Sequence, residues 1–218
     1  MRWAAHTSGG KDSVLACQKA IDAGRDVQYL VTVRPKNRES YMFHSANLDA
    51  VPVMAAIAGM EYVEISTQGK KEEELADLEE GLSALNIDGI IAGAVASVYQ
   101  TERVKAIADH LDLQVFTPLW QMNTELLLRE VAARMDAMIV VTAAEGLDAG
   151  FLGCHFDDAL IARLKQVAAR HQINIAGEGG EYESLTLNAP FFSRPMTYTT
   201  TERHSSTDRH ELVLGGFA

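Results

Sequence analysis

Residues 8–13 read Ser8-Gly9-Gly10-Lys11-Asp12-Ser13, and the reading of that turn decides the fold. In front of it, Arg2-Trp3-Ala4-Ala5-His6-Thr7 is short and mostly apolar, the pattern of a buried strand. Behind it, Val14, Leu15, Gln18, Ile21 and Asp22 recur at helical spacing until Gly24 stops the run. Strand, glycine turn and helix in that order aim the first unpaired amides of the helix at whatever the turn encloses. Two adjacent glycines let the backbone come close and adopt positive φ. Ser8 and Ser13 add hydroxyls, and Lys11 adds a positive charge. The guest that suits such a turn is a phosphate chain.

The turn is not a Walker A loop, which needs G-x-x-x-x-G-K-[ST], nor a G-x-G-x-x-G fingerprint. The S-G-G-x-D-S pattern resembles the PP-loop of ATP pyrophosphatases, enzymes that cleave ATP between its α and β phosphates. Asp12 makes sense in that setting. A carboxylate among phosphates is repelled unless a cation lies between them, so the resemblance implies Mg²⁺ beside ATP. The plainer alternative is an ordinary capped helix after a glycine turn, and six matched residues directly behind a strand argue against it.

The chain has 218 residues, 47% of them apolar and 22% charged, which suits one large α/β domain or one domain with a smaller addition. No apolar run approaches the roughly eighteen residues of a membrane span, and no leader pattern precedes the Ser8 turn. A cytoplasmic location away from membranes is the expectation. The net charge of −11 makes nucleic acid a poor default partner, since nucleic acid is bound largely by cationic surface. The two cysteines, Cys17 and Cys154, form no C-x-x-C pair and no zinc spacing, and read as buried or half-buried thiols. The seven histidines show no metal-ligand spacing and read as surface or core residues.

Along residues 1–120, strands alternate with helices at short intervals. Strands are expected at 27–33, 62–65, 89–93 and 113–116, and helices from a cap at Asn47 to about 58, at 72–85 and at 97–111. That order predicts a parallel sheet covered on both faces, with ligands at the carboxyl ends of its strands. His44, Gly93 and Ser97 follow strands and can reach the same crevice as the glycine turn. After Pro118 the texture changes. Helices are expected at 125–135 and 157–170, a buried strand at 137–142, and β-structure at 196–203 and 210–214. Residues 121–218 thus read as a second, α+β region supplying the specificity side of the crevice, either separate from the first sheet or fused to it.

Three further segments carry polar groups in suggestive order. Residues 93–103 read GAVASVYQTER, small residues where a strand gives way to a helix, with Gln100 and Arg103 on one helical face. Arg103 is suited to an α-phosphate, and a surface Gln/Arg pair is the equal alternative. Residues 177–184 read GEGGEYES. In an extended segment Glu181 and Glu183 project to one face, where paired carboxylates bind ammonium, hold Mg²⁺ or act as a base; a solvated turn entering a strand is the alternative. Thr117-Pro118-Leu119-Trp120 reads as a proline-fixed turn with a buried Trp.

Together these pieces resemble the diphthine–ammonia ligase family of diphthamide synthesis. The resemblance runs through SGGKDS, Met42-Phe43-His44, residues 93–103, Pro118-Leu119-Trp120 and residues 177–183, in order and over nearly the whole chain. One departure is Ala144-Glu145-Gly146-Leu147, where many members carry A-D-G-L. Eukaryotic members carry extra C-terminal domains, so the likeness is to the compact archaeal type. The family implies that ATP adenylates the carboxylate of diphthine, a modified histidine on translation elongation factor 2, and that ammonia then displaces AMP. It implies roles for Ser8, Gly9, Gly10, Lys11 and Ser13 on the phosphates that leave as pyrophosphate, and for Asp12 on Mg²⁺. Arg103 would serve the α-phosphate, and Glu178, Glu181 and Glu183 the substrate or ammonium. His44, Gly93, Ser97 and Gln100 would line the nucleotide and Tyr99 the substrate; a homodimer is compatible. The rivals are a tRNA-modifying ATP pyrophosphatase, an amide ligase for another carboxylate, and a nucleotide-binding sensor. Thiolating tRNA enzymes use paired cysteines that this chain lacks.

Overall fold

Strand β1 (Arg2–His6) is the middle of a sheet because its side chains are needed on both faces. Alternation along the strand sends Trp3 and Ala5 into one apolar cluster and Ala4 into another. The computed structural model describes residues 1–35, 47–67, 73–95 and 98–218, and for residues 35, 73–75 and 98–101 the backbone alone. His44 and Ser97 therefore lie outside the described residues, as do the side chains of Tyr99 and Gln100.

The elements that follow β1 are α1 (Lys11–Asp22), β2 (Asp26–Pro35), α2 (Val51–Ala58), β3 (Glu61–Thr67), α3 (Glu73–Ser83), β4 (Gly89–Ile91), α4 (Val98–His110) and β5 (Gln114–Phe116). The five strands form one parallel sheet in the order β3-β2-β1-β4-β5. Val14 and Leu15 of α1 and Met54 of α2 cover one face, while Leu78 and Leu82 of α3 and Ile107 of α4 cover the other. The strand order reverses between β1 and β4, which opens a crevice at their carboxyl ends. This is the doubly wound α/β class expected from the sequence.

The rest of the chain builds a second sheet of its own. Helix α5 (Thr124–Arg134) starts at Asn123, whose side chain accepts from the Glu125 and Leu126 amides. Strand β6 (Asp136–Thr142) is buried from Ala137 onward, and α6 (Asp158–Ala168) is capped by Asp157. Then come β7 (Tyr182–Asn188), β8 (Thr200–Ser205) and β9 (His210–Gly215). Their antiparallel order is β7-β6-β9-β8. The two sheets are not fused, yet Leu15, Met54, Ile139 and Leu185 belong to one continuous apolar cluster, so they share a core. No helix among the described residues is long and apolar enough to cross a membrane.

Three local expectations differ from what is seen. Strand β8 begins at Thr200 rather than 196. Met196 instead pins its amide to the Leu187 carbonyl, which draws that stretch along β7. In the turn after Pro118 the fully buried side chain is Leu119, and Trp120 is half-buried. Asn47 does not cap a helix: its backbone is left-handed at φ 58, and a short 3-10 turn, Leu48–Ala50, precedes α2.

The Asn47 side chain has another task. Its Nδ2 donates to the Leu212 carbonyl at 3.0 Å and its Oδ1 accepts from the Leu214 amide at 2.8 Å, both buried. It acts as one rung of a ladder for β9 beyond the point where β6 pairs with it. Asn47→Ala leaves those two groups without partners and should lower stability by about 1–3 kcal/mol, read from urea unfolding at neutral pH.

Candidate functional site

The crevice begins at the glycine turn. Gly9 takes φ +79, which a side chain would strain, and a Cβ there would also press on Met54 at 3.2 Å. The Gly9 amide donates to Thr7 Oγ1 at 3.0 Å, Thr7 Oγ1 and Ser13 Oγ share a hydrogen bond at 2.9 Å, and Ser13 Oγ donates to the Gly10 carbonyl at 3.0 Å. The Ser13 hydroxyl therefore braces the loop from within. Helix α1 starts behind Gly10 with no side-chain cap, which leaves its positive end facing the crevice.

The second sheet closes the other side. The Thr186 amide donates to the Gly9 carbonyl at 2.9 Å, and the Lys11 amide donates to Ser184 Oγ at 3.1 Å. Lys11 is only 3% exposed. Its ammonium donates to Asp12 Oδ2 at 2.7 Å and to the Ala176 carbonyl at 2.6 Å, and lies 5.2 Å from the centre of the Tyr182 ring. The Tyr182 hydroxyl donates to the Ile175 carbonyl at 2.8 Å. Burial raises its pKa well above the usual range, and the charges of Asp12, Glu178 and Glu181 add to the effect. Asp12 Oδ1 is buried and has no hydrogen-bond partner among the described residues.

These groups surround a cavity of about 250 Å³. Of the residues expected at the site, Ser8, Gly10, Lys11, Asp12, Ser13, Gly93, Arg103, Glu178 and Glu183 line it. Gly9 supports it from behind. Gly93 ends the β4 side so closely against α1 that a Cβ would lie 2.8 Å from the Asp12 carbonyl carbon and the Ser13 nitrogen. A deeper, apolar part runs between the sheet and α3/α4, lined by Ala4, Val31, Leu78 and Ile107 among others.

Glu181 is turned elsewhere. Its carboxylate accepts from the Asn174 and Gly179 amides, each at 2.7 Å, and so ties the glycine-rich turn to itself. It precedes β7 and follows Gly180 at φ +85, so the alternation that would align it with Glu183 has not yet begun. Glu145 is 88% exposed and lies outside this cavity. Both cysteines are away from it: Cys17 is buried, with its thiol pushed up to about 12 by burial, and Cys154 is half-buried.

Sequence reasoning passed over His6 as one histidine among seven. It lines the cavity two residues before Ser8, on the same face of β1 as Ala4. Desolvation by burial lowers its pKa to about 4 from 6.5, so the imidazole is neutral at physiological pH. The β1 alternation was the available signal: Ala4 and His6 share a face, and that face meets the crevice. Ser184 is a second such residue, legible only once β7 is seen to run beside the glycine turn.

A cleft at a strand-order reversal, with a glycine turn ahead of an uncapped helix, is the arrangement of a phosphate-binding protein of the doubly wound α/β class. Comparison with known proteins narrows this. Residues 1–115 match the family model of the diphthamide synthase N-terminal domain, and residues 123–212 that of the diphthamide synthase C-terminal domain. The chain is 32% identical over 226 residues to proteins named diphthine–ammonia ligase in Rattus norvegicus and Homo sapiens, covering 93% of this chain and 84% of each relative. The protein of that name in Schizosaccharomyces pombe is 28% identical over 91% of this chain, but only 36% of its own length is covered. This chain belongs to the diphthamide synthase family and is a ligase. Much extra length marks the fission-yeast relative and its counterpart in Saccharomyces cerevisiae, of which 33% is covered, but not the rat and human ones, so the longer form expected of eukaryotic members holds for only part of them.

Two outcomes follow from the geometry. Gly93→Ala forces the β4 end away from Asp12 and Ser13; ATP affinity by calorimetry should fall about tenfold or more while far-ultraviolet circular dichroism keeps its shape. For His6, the unfolded chain takes up a proton near pH 6.5 and the native one only near 4. Acid therefore favours the unfolded state, and the penalty grows as pH falls from 6.5 towards 4 and is absent above 6.5. His6→Leu should flatten this part of the stability profile, seen as the wild-type minus variant difference in urea midpoints across that window.

Proposed function

We propose that the chain amidates the carboxylate of diphthine on translation elongation factor 2, using ATP and ammonium and releasing AMP and pyrophosphate. The observation that carries this reading is a single cleft lined by the glycine turn, Gly93, Arg103 and two carboxylates from the 177–184 segment. Family membership over both regions of the chain supports the substrate class.

The proposed chemistry has two steps. A carboxylate oxygen of the acceptor attacks the α-phosphorus, the bond between that phosphorus and the bridging oxygen to the β-phosphate breaks, and pyrophosphate leaves. The nitrogen of ammonia then attacks the acyl carbon, the acyl–oxygen bond to AMP breaks, and AMP leaves with one proton released. In this reading the amides and hydroxyls of residues 8–13 and the Lys11 ammonium hold the two phosphates that depart. Arg103 balances the charge that develops on the α-phosphate. Glu178 and Glu183 draw ammonium from solution and accept the proton it must shed before its nitrogen can attack. Glu181 keeps the turn that presents Glu178 rigid. Residues 1–120 carry the nucleotide and residues 121–218 the acceptor side, as the two textures of the sequence suggest.

The donor set suits Mg²⁺. Asp12 Oδ1 is buried without a partner among the described residues, and the cavity wall holds Lys11 and Arg103 against Asp12, Glu178 and Glu183, so a polyphosphate brings further negative charge into an already acidic space. Asp12 would hold the ion together with phosphate oxygens, and the ion would supply charge neutralisation along the polyphosphate.

The test is to mix the protein with ATP, Mg²⁺, ammonium and diphthine-bearing elongation factor 2, weigh the factor and identify the nucleotide product. An acid exchanged for an amide, with stoichiometric AMP, is expected. ADP with orthophosphate, or an unmodified factor beside a modified tRNA or small acid, would overturn the reading. Arg103→Ala should lower the rate of AMP formation about 10²- to 10³-fold without changing the urea midpoint.

A further inference from the structure

Arg209 lies in the turn between β8 and β9, outside every segment singled out in the sequence. One serine fixes its backbone. The Ser206 amide and Ser206 Oγ donate to the Arg209 carbonyl at 2.8 and 3.0 Å, and the Arg209 amide donates back to Ser206 Oγ at 3.2 Å. The residue thus leaves the turn in a set direction. Its guanidinium then divides between two carboxylates. Nη2 donates to Glu183 Oε1 at 3.1 Å and Nε donates to Glu211 Oε1 at 2.6 Å.

The two carboxylates differ. The Glu183 side chain is 12% exposed and lines the nucleotide cleft, whereas the Glu211 side chain is 33% exposed and does not. A carboxylate at the burial of Glu183 pays for its charge unless a cation or donors meet it. Arg209 reaches Glu183 from the rim with one N–H, that of Nη2, while its Nε is held by Glu211, and a charge-assisted hydrogen bond of this kind fixes the carboxylate oxygen it meets.

We propose that Arg209 is a positioning residue for the amidation half of the reaction, holding the Glu183 carboxylate ionised and oriented where ammonium is received. The β8–β9 turn is then part of the ammonium side of the cleft and has no part in gripping ATP. This rests on the reading of the chain as an ATP-dependent amide ligase.

The experiment separates the two half-reactions in the full chain. Pyrophosphate–ATP exchange with acceptor and no ammonium reads adenylation; amide formation with varied ammonium reads the second step. Arg209→Gln should leave exchange and the ATP KM within about twofold of wild type, because only the second step loses its oriented group. Amide kcat should fall about 10- to 100-fold, with a raised ammonium KM. Arg209→Lys should recover part of the rate, and Glu211→Gln should stay within about twofold of wild type. Equal loss of both half-reactions in Arg209→Gln would mean a merely structural role and overturn the proposal; so would an unchanged amide kcat. Should Glu183→Gln lose amide formation while Arg209→Gln does not, Arg209 falls and the ligase reading stands. A wild-type chain that gives neither exchange nor amide removes both.

Discussion

The open edge of β7 resting on the glycine turn is the constraint from which the site follows. β7 is the outermost strand of the second sheet, so its edge has backbone groups to satisfy. It satisfies one of them on a turn rather than on another strand. The Thr186 amide takes the Gly9 carbonyl, Ser184 Oγ takes the Lys11 amide, and Leu185 packs within reach of Gly9. Two sheets of different kind, one parallel and one antiparallel, are thereby locked at their common edge, and the cleft exists because both are present. The same contact sets the distance at which the 177–184 segment faces residues 8–13.

Lys11 shows what that closure does to the electrostatics. An ammonium that is 3% exposed would be expelled or neutralised without partners. Here it has a carboxylate, a backbone carbonyl and the face of Tyr182, three contacts from two regions of the chain. Tyr182 in turn packs closely over Gly177, where a Cβ would lie 3.0 Å from the ring and φ is +78. Asp12 gives one oxygen to this arrangement and keeps the other buried and, among the described residues, unpartnered. A buried acceptor left in that state asks for an explanation, and a ligand that brings positive charge supplies one.

The parallel sheet, the order of strands and helices, and the residues of the glycine turn were legible because they are written locally. Periodicity, glycines and caps act within a few residues of where they sit. The strand formed by residues 182–188 was not assigned as an element, and with it went the roles of Ser184 and Tyr182. Its seven residues follow a glycine-rich turn, and what makes them a strand is pairing with β6 forty or more positions earlier. Asn47 was misread for the same reason. An Asn before an apolar run is the sequence signature of a cap, and only the approach of β9 turns its amide into a ladder rung. Glu181 and Glu183 looked equivalent by spacing, but the positive φ at Gly180 separates them, one closing a turn and the other facing the cleft.

Charge divides across the cleft in a way that suits the proposed reaction. The parallel-sheet side contributes an uncapped helix end, Lys11 and Arg103 with Asp12 among them; the 177–184 segment contributes the carboxylates Glu178 and Glu183. A polyphosphate is drawn to the first and repelled by the second, while ammonium has the opposite preference. In the proposed reaction, both attractions in one small cavity would set the two reactants on opposite walls with the α-phosphate between them. The acids would cost binding energy for ATP alone, since like charge at short range weakens it. They make sense if a cation is to be received there after pyrophosphate has gone, when the negative charge that opposed them has left the cleft. In the proposed reaction the order of the two chemical steps is the order in which the cleft's charge can be satisfied.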